Sequence, residues 1–282
     1  MTDKMKNLAV RTLSGIVLAA VVLGAVAWSP WSFGALLLLL LVGGMHEFYA
    51  LAEARGDRPQ RLIGMVTGAV LFAVNFAFLS GSAGAAGGLR PLLAAGMAFL
   101  LLLLPLMLVC ELYRRGENPA ANVGVTLLGV CYVALPLTLM AYIPFVGRYA
   151  WNPWTMLFFV FIIWANDVFA YLVGMAFGRH RLFERLSPKK SWEGFFGGVA
   201  GALVMGYVAS RCMGEAWWVW IGLALVAAVT GVLGDLVESM FKRAAGVKDS
   251  GTIIPGHGGI LDRFDAILLA APFVVVYLWF VL

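Results

Sequence analysis

The chain has 282 residues, 62% of them hydrophobic and 12% charged, with a formal net charge of +5. A soluble domain of this size carries roughly 25% charged residues, so a mean hydropathy of +0.91 excludes that class. The small positive charge gives no reason to expect a nucleic-acid partner, and the useful question is where the charges sit.

Apolar runs of about 20 residues, long enough to cross a bilayer core of roughly 30 Å, recur from end to end. The sequence predicts an all-α polytopic membrane protein with nine transmembrane helices, at 9–28, 32–52, 62–80, 92–112, 123–146, 153–177, 195–212, 216–240 and 264–282. The first run lacks a small-residue cleavage site and reads as a span, not as a removed signal. His46 and Glu47 lie deep in the second run, where a helix-packing polar pair explains them as well as a functional site does. The stretch GSAGAAGG at 81–88 reads as a flexible connector. Cys110, Cys131 and Cys212, an odd count in or beside apolar segments, read as small packing residues. The chain divides into an N-terminal region of five spans, 1–152, and a C-terminal region of four, 153–282, which carries the chemistry.

Alternation of the nine spans permits a charge test. With the N-terminus in the cytoplasm and the C-terminus outside, 17 of the 20 lysines and arginines fall on the cytoplasmic side, as the positive-inside rule requires. Trp28, Trp31, Trp151, Trp154, Trp217, Trp218, Trp220 and Trp279 fall near the outer ends, as an interfacial belt would. The two most polar loops, 178–194 and 241–263, then share the cytoplasmic face.

Carboxylates appear where lipid should be. Asp167 lies inside the sixth span, with Tyr171 and Gly174 on the same helical face. A charge at the bilayer centre costs about 2.5–3.5 kcal/mol on insertion scales, so it faces a bundle interior or a wet cavity. Asp235 and Glu238 are three residues apart near the cytoplasmic end of the eighth span, with Ser239 one turn beyond Asp235. Glu238 is equally suited to pair with Lys242 or Arg243. Asp262 and Asp265 repeat the spacing at the start of the ninth span, where acids also favour the helix dipole. Carboxylates gathered from three spans repel one another unless a cation lies among them. Hard oxygen donors suit magnesium, which takes one or two carboxylates plus substrate phosphates. Asp235 and Asp262 are the leading ligands, followed by Asp167 and Asp265.

The last loop suits phosphate. PGHGG at 255–259 offers backbone N–H groups unobstructed by side chains, leading into a helix N-terminus. Lys242, Arg243, Lys248 and Arg263 flank it, and Lys189, Lys190 and Ser191 stand in the SPKKS segment of the other cytoplasmic loop. His257 is suited to a turn, to donation to phosphate or to acid–base work; the other histidines show no metal-ligand spacing.

The run SMFKRAAGVKDSGTIIPGHGGILDRFD, Ser239 to Asp265, resembles the signature of the phosphatidate cytidylyltransferases, or CDP-diacylglycerol synthases. That signature reads S-x-x-K-R-x4-K-D-x-G-x3-P-G-H-G-G-x2-D-R-x-D, and every fixed position is filled here. The accompanying segments ND at 166–167, SPKKSWEG at 187–194 and GD at 234–235 are similar as well. The resemblance implies the reaction of CTP with phosphatidate to give CDP-diacylglycerol and pyrophosphate, at the inner membrane of a bacterium. It implies Mg2+, with a second cation such as K+, at Asp167, Asp235, Asp262 and Asp265. It implies roles at the reacting phosphates for Lys248, His257 and Arg263, and substrate contacts from Lys189, Lys190, Ser191, Ser239, Lys242, Arg243, Asp249, Gly256, Gly258 and Gly259. CTP, phosphatidate and membrane lipid are the expected partners; a homodimer is compatible with the sequence but not dictated by it. The rival from another class is an ion-coupled secondary transporter, since intramembrane acids also mark carriers. A carrier places its site near the midplane between inverted repeats, whereas the polar residues here crowd one surface.

Overall fold

The structure is a computed structural model that describes residues 3–80, 89–146 and 151–282, with side chains from 11–80, 94–146 and 151–282. The 81–88 connector lies outside the described residues. Among these residues, nine helices are long and apolar enough to cross a membrane. In chain order the helices are α1 (Asp3–Trp28), α2 (Pro30–Ala54), α3 (Arg61–Leu79), α4 (Leu89–Arg114), α5 (Pro119–Gly129), α6 (Leu135–Met140), α7 (Pro153–Phe177), α8 (Trp192–Met213), α9 (Trp217–Ala244) and α10 (Leu261–Val281). The fifth span joins α5 and α6 through a π-helical turn, Val130–Ala134. Pro136 explains the widened turn: it has no N–H for the carbonyl four residues back, and the preceding Leu135 N–H reaches five residues back to Val130 O instead.

By their internal packing the described residues form two compact units. One comprises Met1–Tyr142 with Ala244–Asp262, the other Ile143–Arg243 with Arg263–Leu282. The signature loop therefore folds with the N-terminal helices, for reasons visible in its hydrogen bonds.

In the first unit, Ser29 caps α2 by accepting from Ser32 N at 3.1 Å, and Pro30 supplies the first helical position. Phe33, Leu37, Leu41, Met45 and Tyr49 recur every four residues and form its buried face. At the far end, Tyr49 Oη donates to Thr126 O at 2.9 Å. Buried Glu111 of α4 accepts from Gln60 Nε2 (2.8 Å), Asn122 Nδ2 (2.6 Å) and Arg114 Nη1 (3.0 Å). This satisfied acid ties the α2–α3 connection to α4 and α5.

In the second unit, small residues bring helices together. Gly194, Gly198, Ala202 and Gly206 recur every four residues along α8 and are all buried, the spacing that lets membrane helices approach closely. A Cβ on Gly194 would stand 2.8 Å from Ala170 O of α7, and one on Gly206 would stand 2.7 Å from Trp220 O of α9. Between α7 and α8 runs a two-stranded antiparallel hairpin, β1 (Arg181–Phe183) with β2 (Ser187–Ser191), which departs from an all-helical plan. Glu193 braces it: Oε1 lies 2.6 Å from His180 Nδ1, and Oε2 accepts from Arg179 N at 3.1 Å and His180 N at 3.2 Å.

Two details differ from the sequence reading. Trp220 is 2% exposed and belongs to the core, not to an interfacial belt. Its Nε1 donates to Glu215 Oε2 at 3.0 Å and its ring meets Phe158 edge-on. Cys131 and Cys212 are exposed on the chain's own surface, so packing does not account for them.

Candidate active site

The acids of the second unit are gathered by backbone contact. A Cβ on Gly234 would stand 2.5 Å from Asp265 O, so only glycine lets α9 and α10 meet there. The next residue is Asp235, and Glu238 follows one turn on. Ligand-capable atoms of Asp235, Glu238 and Asp265 consequently lie within 4.8 Å of one another. Lysines meet the cluster from two elements. Lys190 Nζ on β2 lies 2.6 Å from Asp235 Oδ2, and Lys242 Nζ lies 2.5 Å from Glu238 Oε2. Ser239 Oγ donates to Asp235 Oδ1 at 3.3 Å. Asp265 Oδ1 accepts from Ala266 N at 2.7 Å.

Beside this cluster opens a cavity of about 420 Å³, walled by α7, β2, the start of α8, and α9. Asn166, Asp167, Tyr171, Lys189, Lys190, Ser191 and Asp235 supply its polar lining, while Ala170, Met175, Phe195 and Val232 supply apolar wall. The lysines are set by β2, which runs directly into α8. Ser191 is the N-cap of α8, its Oγ accepting from Gly194 N at 3.1 Å. Asp167 is exposed in this wall, while Asn166 beside it is buried against Gly198. Three carboxylates with only oxygen donors fit a hard divalent cation.

The signature loop, in the first unit, is organised differently. Gly256 and Gly258 have φ of +73° and +88°, which their lack of a side chain permits. Ser14 Oγ of α1 lies 2.7 Å from His257 Nδ1 and donates to Pro255 O at 2.9 Å. Two N–H groups of the 255–259 stretch read from sequence as a phosphate nest are already engaged: His257 N donates to Ile254 O at 2.9 Å and Gly259 N to Asp262 Oδ2 at 2.8 Å. Just beyond it, Ile260 N and Leu261 N donate to Glu47 at 2.9 Å each. Asp262 Oδ2 also accepts from Ser250 N at 2.8 Å and Ser250 Oγ at 3.0 Å. Lys248, Asp249 and Arg263 are exposed.

Two residues set aside in the sequence belong to these clusters. Glu238 pairs with Lys242, as one reading allowed, and also joins the acid group. Glu47 caps the signature loop from 200 residues away in sequence; no local spacing signals this.

Fold and site together define a polytopic helical membrane protein with lysine-paired carboxylates at the wall of an open cavity. Residues 9–281 match the model of the cytidylyltransferase family. Phosphatidate cytidylyltransferase of Haemophilus influenzae is 33% identical, covering 96% of this chain and 99% of its own length. The enzyme of the same name from Synechocystis is 32% identical, covering 95% of each chain. Its Staphylococcus aureus namesake is 45% identical over 127 residues, 44% of this chain and 48% of its own. The chain belongs to the cytidylyltransferase family.

Proposed function

We infer that this membrane protein transfers the cytidylyl group of CTP to phosphatidate. An oxygen of the lipid phosphate attacks the α-phosphorus of CTP. The bond from that phosphorus to the bridging oxygen breaks, and its electron pair leaves on pyrophosphate. The products are CDP-diacylglycerol and pyrophosphate. The nucleophile is already anionic at neutral pH, so no strong general base is required; the difficulty is bringing two polyanions together. The observation that carries the reading is the family match across residues 9–281, supported by the cation–carboxylate lining of the cavity.

Lys189 and Lys190 are assigned to the triphosphate or lipid phosphate, with Ser191 at the helix start beside them. Lys190 is held by Asp235, so anion binding and acid placement are linked. Asp235, Glu238 and Asp265 would hold magnesium, with Asp167 on the neighbouring wall. Asp262 stands one turn before Asp265 on α10 and is carried over from the signature as a further ligand. Bound magnesium would supply charge neutralisation between phosphates and on the leaving pyrophosphate. A second cation such as K+, implied by the resemblance, would draw on the same acids. Lys248, His257 and Arg263 are assigned to phosphate contacts, with Ser239, Lys242, Arg243 and Asp249 supporting them; Gly256, Gly258 and Gly259 shape the loop. The charge asymmetry of the loops supports a site at the cytoplasmic face, and the bacterial relatives support the inner membrane as its location.

Purified protein in nanodiscs, given phosphatidate, Mg2+ and CTP labelled at either the α- or the γ-phosphate, tests this. The α label is expected in the lipid phase and the γ label in pyrophosphate. Movement of intact CTP into liposomes, without labelled lipid, would instead favour the transporter.

A further inference from the structure

Glu47 is 3% exposed, on a helix otherwise buried through apolar side chains. Its carboxylate takes more than a cap requires. Oε1 accepts from Ile260 N at 2.9 Å, while Oε2 accepts from Leu261 N at 2.9 Å and from Ser250 Oγ at 3.0 Å. The same Ser250 Oγ lies 3.0 Å from Asp262 Oδ2. A hydroxyl carries one proton, so Ser250 serves only one of the two carboxylates at a time. The loop is shaped to admit them both. A Cβ on Gly251 would stand 2.6 Å from Glu47 Oε1, and one on Gly258 would stand 2.6 Å from Asp262 Oδ2. A Cβ on Gly259 would collide with Ser250 Oγ and with Glu47. Three glycines of the signature therefore make room for protein carboxylates.

We propose that Glu47 is a positioning residue: through Ser250 and the 259–261 backbone it fixes the rotamer in which Asp262 meets a divalent cation. This rests on the assignment of Asp262 as a ligand. Ser250 Oγ, 3.0 Å from each carboxylate, would turn its proton to Glu47 were Asp262 to ligate a cation, so the loop would keep a hydrogen bond in either state. Backbone donors at Ser250 and Gly259 hold Asp262 Oδ2 throughout.

The test uses the full chain in nanodiscs, with Glu47→Gln, Glu47→Asp and Ser250→Ala. Glutamine keeps the size of Glu47 but turns an NH2 toward a backbone N–H, opposing two donors. Mn2+ binding is read from the electron paramagnetic resonance signal of the free ion, and the Mg2+ needed for half-maximal lipid labelling is measured in parallel. Glu47→Gln is expected to weaken Mn2+ binding roughly 10-fold or more, the scale of losing a hydrogen-bond partner behind a metal ligand. The Mg2+ requirement should rise in step, Ser250→Ala should move both in the same direction by less, and Glu47→Asp should recover part of the loss. A general structural defect would lower the active fraction and leave both concentrations unchanged. That result in folded Glu47→Gln overturns the proposal, and if Glu47→Gln does not fold, the same result in Ser250→Ala overturns it. Wild type that binds Mn2+ without labelling lipid would remove the transferase reading, while the Mn2+ shift still decides this one.

Discussion

The two acid clusters are held in opposite ways. In the first unit, Glu47 and Asp262 are held by backbone N–H groups, donors that cannot leave, and share one serine hydroxyl. In the second, Asp235 and Glu238 are met by lysine ammonium groups on flexible stems. Fixed neutral donors set a carboxylate's position. A lysine is a mobile cation that a metal ion or a phosphate can displace. The contrast separates groups that hold geometry from groups that exchange partners during a reaction.

Breaking the exchangeable side should cost most. Asp235→Asn removes both a proposed ligand and the partner of Lys190, and labelling of lipid from CTP should fall about 100-fold or more, the scale of losing one preorganised electrostatic group. Lys190→Ala should come next, with kcat/KM for CTP down roughly 10- to 100-fold; an unchanged value would show that the cavity lysine does not meet phosphate. Glu238→Gln leaves Lys242 facing a neutral amide in a nearly closed setting, and breaking such a pair costs about 3–5 kcal/mol. Thermal unfolding in detergent should register that loss. Gly198→Ala sharpens the packing side of the comparison. Its Cβ would press on Asn166 O at 2.8 Å, so α7 and α8 must separate, at about 1–3 kcal/mol. Smallest in activity should be Glu111→Gln. That acid is as well satisfied as Glu47 but ties together α2–α5 alone, so stability should drop by about 1–3 kcal/mol while activity at a permissive temperature stays within about twofold of wild type. A large kinetic defect there would erase the distinction between Glu47 and an ordinary buried acid.

The spans were legible because a helix needs about 20 apolar residues to cross a bilayer, whereas a barrel strand needs only about ten. Asp235, Asp265 and the SPKKS lysines stood out because polar groups in such a chain need a reason. What escaped has a physical cause in each case. Glu47 makes its contacts with residues 250–261, and periodicity reports only neighbours on one helix. The β1–β2 hairpin is five residues at its longer strand and carries no alternating pattern. The glycines of PGHGG do signal close approach, but sequence alone does not say whether a phosphate or a protein carboxylate approaches. Trp220 looked interfacial by position, and only Glu215, five residues earlier, makes its burial affordable by accepting the indole N–H.

The central claim is that acids carried on separate helices hold the cation that lets two polyanions react. Chelate the wild type and Asp235→Asn, Asp262→Asn variants with EDTA, then titrate Mg2+ back while following labelled CTP into lipid. The account predicts that wild type loses activity and regains it, while neither folded variant recovers at any Mg2+ concentration. Activity that survives chelation in the wild type, or recovery of both variants at the wild-type Mg2+ concentration, would contradict it.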